Sequence, residues 1–278
     1  MTGKIDVMIL SNIAPLMRTT AHHPDPSFAT TLAHGLGLLQ CFRVGSPMLS
    51  NKELAERTGL SKATISRLTY TLLARGLLTY DAHLRRYQLG PTALSLGYPL
   101  LASLRVRQIA RPLMKELADY ANGSVSLGIR DRINMVYIET SRGHEAAAFR
   151  PDIGASLPIM DSAIGRAWLA QAVAIDCERV LAEIRAQRPA EHTRNVQIVE
   201  RARKDLAEKG YCVSHGEWQQ DVHAIAVPMH TPVDGEILVF NCGVLTSRLK
   251  SKTIEDKLGK RLIDMVKQVD AAVFPRHL

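Results

Sequence analysis

Apolar residues first fall into a helical rhythm at Leu32, Leu36, Leu39 and Phe42, predicting a helix over 31–43 that the "GSP" at 45–47 breaks. Residues 1–30 show no such period. Their "HHPDPS" holds two prolines, so the segment reads as a poorly ordered tail. Residues 50–72, "SNKELAERTGLSKATISRLTYTL", then carry two short amphipathic runs around a "GLS" break. Ser50 starts a helix, and Glu53 three positions later completes a capping box. Leu54 and Ala55 form its buried face, and Gly59 suits the left-handed closing position. Ser61 caps the next helix, which runs to about Arg75 and ends at Gly76. At about 100° per residue, Ile65, Leu68, Leu72 and Leu73 face the core. Ala63, Ser66, Arg67 and Tyr70 face outward, flanked by Thr64 and Thr71, with Lys62 near the start. "LLTYDAHLRRYQL" (77–89) alternates as a β-hairpin whose tip carries His83, Arg85 and Arg86.

From Thr92 to about Ala121 the pattern is mostly helical, interrupted near "GYP" at 97–99. "SVSLGIR" and "INMVYIETS" then flank Asp131-Arg132 as a hairpin, and "HEAAAFR" offers a third strand. "SAIGRAWLAQA", 176–187 and 195–209 read as helices, and "VHAIAVPMH" with "EILVFNCGV" as a hairpin around "PVDG". Ile254, Leu258, Leu262, Met265, Val266, Val269 and Val273 recur at helical spacing. Hairpins with helices set between them predict an α+β fold: an antiparallel sheet covered by helices, behind an N-terminal helix-turn-helix. The expected division is a tail (1–30), a winged helix-turn-helix (31–92), a linker helix (93–113) and a second domain (114–278).

Charge sharpens this picture. The net charge is +8, and residues 31–92 hold eight Lys/Arg against three acids, while 93–113 add three arginines and no acid. Residues 114–278 carry 22 of each sign, so the excess lies in 31–113. A localised cationic surface fits a polyanion partner. A helix entering a DNA major groove needs small residues for close approach, which Ala63 and Ser66 supply. Arg67 can fork onto guanine or clamp a phosphate, and Thr64, Ser66 and Tyr70 can bond phosphate or base edges. Ser61 and Lys62 lie at the helix start, where bases are usually met. The basic hairpin would serve as a wing on the flanking backbone. The alternative is a ligand-binding protein whose winged helix docks another protein.

Other chemistry is sparse. The four cysteines lie far apart without C-x-x-C spacing, which argues for reduced thiols in a cytoplasm and against structural zinc. His22 and His23 lack a second ligand cluster, so no metal is expected. No window approaches the ~18 apolar residues of a membrane span, and no secretory signal stands at the N-terminus. No nucleotide, metal or hydrolase fingerprint points to an enzyme or cofactor, and nothing in the spacing of Asp161, Ser162 and His215 favours a catalytic triad.

"LSNKELAERTGLSKATISRLTYTLLARGLL" followed by "RRYQLG" closely resembles the winged helix of the IclR family of bacterial transcriptional regulators. The likeness continues through "IARPLMKELA", "LPIMDSAIGRAWLA", "KGYCVSHGEWQQDVHAIAVPM" and "NCG", over roughly residues 30–275. It implies a winged helix-turn-helix, a linker helix that helps dimerise, and a GAF-like domain binding a small-molecule effector, often acidic. It also implies a homodimer or tetramer that binds a double-stranded DNA operator, often of catabolic genes. By position, the resemblance implies effector contacts at Ser162, Ala163, Ile164, Ser214 and Ala224. The alternation of the last strand adds Phe240 and Cys242, although Cys242 reads equally as an inert buried thiol. Where the family usually has a run of acids after "GY", this chain has Ser214, His215 and Gly216 before Glu217, and Asp221 stands where Gly is usual. Phe240 and its apolar neighbours suggest an aromatic or aliphatic acid.

Overall fold

The structure, a computed structural model, describes residues 26–144, 151–247 and 252–275. It divides into two compact units, Met1–Ser103 and Leu104–Leu278. His22, His23 and most of the tail expected over 1–30 fall outside the described residues.

In the first unit, helices α1 (Thr30–Leu39), α2 (Asn51–Thr58) and α3 (Lys62–Ala74) enclose a core of Leu38, Leu49, Leu54, Ile65, Leu72 and Leu78. Helix α1 is shorter and turned differently from the apolar stripe. It ends at Leu39, and Leu32 and Leu36 are 61% and 52% exposed. The buried positions are Gly35, Gly37 and Leu38. At Gly35 an added Cβ would stand 3.8 Å from the Leu68 side chain, so the glycine edge, not the leucine edge, meets α3. The α2 signals are realised as written: Ser50 and Glu53 form a reciprocal capping box, and Gly59 closes the helix at φ 72°. Thr58 fixes the turn, donating to the Leu54 carbonyl at 2.7 Å and accepting from the Leu60 amide at 3.2 Å.

Strands β1 (Leu78–Asp81) and β2 (Arg86–Leu89) form the hairpin, and Leu49 bridges to Tyr87 beside it. Helix α4 (Pro91–Ser103) runs through Gly97–Pro99 without stopping there; Pro99 forfeits one helical hydrogen bond only. The interruption expected at "GYP" lies instead at Leu104–Arg105, ahead of α5 (Val106–Ala121).

The second unit is built on a six-stranded sheet of order β5-β4-β3-β8-β7-β6, antiparallel throughout. Its strands are β3 (Ser124–Asp131), β4 (Asn134–Arg142), β5 (Ser156–Pro158), β6 (Cys212–His215), β7 (Val222–Pro228) and β8 (Val239–Leu245). The β3–β4 turn is Arg132-Ile133, one residue later than the sequence suggests. Arg132 takes φ 53°, and Asp131 still pairs with Asn134. "HEAAAFR" lies almost wholly outside the described residues. The described edge strands are β5 and β6, and neither was anticipated. Helices α6 (Ala163–Gln171), α7 (Ala174–Gln187) and α8 (His192–Lys209) share one apolar core with Met135, Tyr137, Ala226 and Val239. Helices α5 and α9 (Lys252–Val273) also pack on the sheet, α9 burying Leu258, Leu262, Met265, Val266 and Val269. All four cysteines are buried thiols outside any disulfide.

Candidate functional site

Each unit carries one candidate site. In the first, Ser61 accepts from the Thr64 amide at 3.2 Å, so α3 starts with a satisfied cap. Its hydroxyl also lies 2.9 Å from that of Thr64. The turns of α3 that bury Ile65, Leu68 and Leu72 push Lys62, Ala63, Ser66 and Arg67 into solvent, with Tyr70 75% exposed. Asn51 on α2 reaches Ser66 at 3.4 Å. The hairpin tip is shaped by Asp81, whose carboxylate accepts from the His83 and Leu84 amides, both at 2.9 Å. His83, Leu84 and Arg85 are exposed there, Arg85 at φ 52°.

Arg86 is not part of the tip. It opens β2 opposite Asp81, and its guanidinium donates to the Met48 carbonyl at 2.9 Å and to Glu53 at 3.2 Å. Among the described residues Lys62, Arg67 and Arg85 have no ion-pair partner, whereas Glu53 and Glu56 face Arg86 and Lys52. Glu53 and Glu56 are thus paired, Asp81 accepts only backbone amides, and α3 and the tip present Lys62, Arg67 and Arg85 unpaired among the described residues.

The site in the second unit is a shallow concavity over the amino end of α6, whose empty space of about 480 Å³ runs out into open solvent. Ser162, Ala163, Ser214 and Ala224 line it, as expected. Ile164 does not; it is fully buried, packed into the core beside Tyr137 and against Gly128. Phe240 and Cys242 do not either. Asn241 and Gly243 line the concavity, and strand alternation turns Phe240 and Cys242 to the opposite side of the sheet, where both are fully buried. Tyr137, Leu157 and Trp218 complete the wall. Alternation along β8 was readable, but its phase was not, because a strand buried on both sides shows no solvent-facing row of polar residues.

Ser162 caps α6, donating to the Pro158 carbonyl at 2.6 Å and accepting from the Gly165 amide at 3.3 Å. Gly165 allows this close seat: a Cβ there would fall 2.1 Å from the Ile159 carbonyl oxygen. The amides of Ala163 and Ile164 have no partner among the described residues, leaving the positive end of α6 directed at the concavity. Asn241 donates to the Tyr137 hydroxyl at 2.9 Å, and burial pushes the Tyr137 hydroxyl pKa up, so it stays protonated.

Behind this wall, Glu217 gathers Arg166 at 3.0 Å, the Ser214 hydroxyl at 2.9 Å and the His215 amide. Burial alone would raise its carboxyl. Arg166, a backbone amide and Ser214 outweigh that and hold it at about 2. Asp161 is paired to Arg194 at 2.6 Å, so its charge is balanced at the rim. Sequence reading missed Tyr137, Trp218, Asn241 and Gly243; Trp218, Asn241 and Gly243 lie inside the motifs "KGYCVSHGEWQQDVHAIAVPM" and "NCG" but were not singled out there.

Two family models match the chain: the IclR helix-turn-helix domain over residues 31–82 and the bacterial transcriptional regulator IclR C-terminal domain over 99–271. HTH-type transcriptional regulator TsaQ1/TsaQ2 of Comamonas testosteroni is 32% identical over 243 residues, 87% of either chain. The crystal structure of an IclR family transcriptional regulator from Brucella abortus aligns with TM-score 0.78 at 40% identity, covering 94% of this chain and 98% of that one. An IclR homolog from Microbacterium hydrocarbonoxydans, complexed with 4-hydroxybenzoate, shares the fold at 19% identity and TM-score 0.67, over 87% of this chain and 99% of that one.

Proposed function

The chain belongs to the IclR family of bacterial transcriptional regulators, and on that premise we propose that α3 reads an operator while the concavity at α6 takes an organic acid that controls it. The observation that carries the DNA half is the exposed face of α3, with Lys62, Ala63, Thr64, Ser66, Arg67 and Tyr70, together with the exposed wing tip of His83 and Arg85. Ser61 serves as the cap that fixes the helix start. Small residues allow the helix into the major groove, and Arg67 offers a bidentate donor to guanine or phosphate. Two-fold pairing of subunits would place two such helices on a near-palindromic site.

For the effector half, the free amide of Ala163 at a helix start suits a carboxylate. Leu157, Trp218 and Ala224 suit an apolar or aromatic body. A homolog of the same fold is described in complex with 4-hydroxybenzoate, an aromatic acid. No helix among the described residues is long and apolar enough to cross a membrane. A regulator of this kind works where the chromosome is, in the cytoplasm.

The test is selection of duplexes from a random library by the purified protein, followed by a thermal-shift screen of aromatic and aliphatic acids. An enriched near-palindromic motif and a stabilising acid are expected. A ligand at ~100-fold its dissociation constant should add ~2.7 kcal/mol. A library that shows no enrichment removes the DNA half. Stabilisation by neutral analogues alone removes the acid.

A further inference from the structure

We propose that Arg86 sets the angle of the wing against α3, with Glu53 as its anchor, and does not touch the duplex; the inference rests on the DNA-binding reading above. The wing is a two-stranded ribbon of four residues per strand. At its root the ribbon is tied to α3 by the Leu77 amide on the Leu72 carbonyl at 2.9 Å, and farther out by the Leu49–Tyr87 bridge to the segment before α2, with amide–carbonyl bonds of 2.9 and 2.8 Å. Beyond its root, a short ribbon held at one residue pair can rock about it.

Arg86 is one residue nearer the tip and adds a second anchor. Its Nη1 lies 2.9 Å from the Met48 carbonyl oxygen, 3.2 Å from Glu53 Oε1 and 3.1 Å from Oε2. Glu53 is itself immobilised, because its Oε2 accepts from the Ser50 amide at 2.8 Å and the Ser50 hydroxyl at 2.6 Å. The start of α2, the helix that braces α3, and the tip-side end of the ribbon thus share one carboxylate. Both side chains are only about one-third exposed, at 39% and 34%. Adjacent arginines therefore divide the work: Arg85 at the tip offers charge, and Arg86 spends its charge on Glu53.

A simple charge argument predicts the opposite sign for one variant, which makes the proposal testable. Glu53→Gln removes a negative charge beside a DNA-binding face, so electrostatics alone would tighten binding. Glutamine at that position still serves the capping box, so the start of α2 is kept. The probe is a fluorescent duplex enriched by the wild-type full chain, titrated over a salt series. Glu53→Gln and Arg86→Gln should each weaken binding about tenfold, and the double variant should be no weaker than either, as coupled neighbours behave. Arg86→Lys should recover part of the loss.

The salt slope should hold in the Glu53 and Arg86 variants, whereas Arg85→Gln should lower it by about one. In the free protein, amide exchange over 82–90 should quicken in both single variants while α3 is unchanged. Equal or tighter binding by Glu53→Gln, a slope lowered by Arg86→Gln, or unaltered wing exchange overturns the assignment. Failure of the wild type to enrich any duplex would instead remove the underlying DNA-binding reading.

Discussion

Asn241 and Tyr137 meet on the concave side of the sheet, the Asn241 amide donating to the Tyr137 hydroxyl at 2.9 Å with both residues buried. The pair comes from β8 and β4, with β3 lying between them in the sheet. It fixes which side of β8 faces the concavity, and so turns Phe240 and Cys242 away from it.

Asn241→Ala leaves the Tyr137 hydroxyl without that donor in a buried place. Ser126 also bonds that hydroxyl, so a loss of ~0.5–1.5 kcal/mol in urea unfolding is expected, the range for one hydrogen bond. The second change Tyr137→Phe, which removes the hydroxyl itself, should recover part of it. If the single variant is as stable as wild type, the bond carries no weight.

Gly165→Ala would drive a methyl group against the Ile159 backbone, 2.1 Å from its carbonyl oxygen. Backbone cannot step aside as a flexible side chain can. The amino end of α6 must shift, at a cost of at least ~1–3 kcal/mol. Thermal unfolding and acid binding should both suffer, and unchanged values for both would show that the seat of α6 is looser than its geometry.

Glu217 has a folded pKa of about 2, depressed from an ordinary 4.5 by Arg166, a backbone amide and Ser214 against the opposing effect of burial. A depressed carboxyl stabilises the fold above its unfolded pKa, and that contribution is lost as pH falls through the folded value. Stability should therefore decline between about pH 4.5 and 2 partly through this group. The Glu217→Gln variant should show a shallower decline in that window when unfolding is followed by circular dichroism. Identical pH profiles would mean that the carboxylate is no better held in the fold than in the unfolded chain.

Arg67→Ala should weaken binding to the selected duplex by ~1–3 kcal/mol and relax preference at the base pair it meets. Arg85→Ala should act on all sequences alike and lower the salt slope by about one. Fluorescence anisotropy on matched and mismatched duplexes separates the two. Equal effects of Arg67→Ala on both duplexes would make that side chain a phosphate contact.

The helix-turn-helix was legible because each of its signals is local. Ser50 with Glu53, Gly59 and Ser61 act through hydrogen bonds and backbone angles set within a few residues, so their spacing alone placed α2 and α3. The outward face of α3 followed from helical period, since Ile65, Leu68 and Leu72 can be buried together in only one way. The α+β division and most of the hairpins were readable for the same reason.

What the sequence left open was which of two compatible faces is used, and whether a charged side chain is free. Leu32 and Leu36 repeat as a core stripe would, yet Gly35 and its neighbours pack inward because α3 approaches that edge closely. Strand β8 is buried on both sides, so only its pairing in the sheet and the Asn241–Tyr137 contact decided that Asn241 rather than Phe240 lines the concavity. Arg85 and Arg86 are chemically alike and adjacent, and a carboxylate 33 residues away gives the second its separate task. Local chemistry fixes elements. Which of their faces meet depends on distant residues brought together by folding.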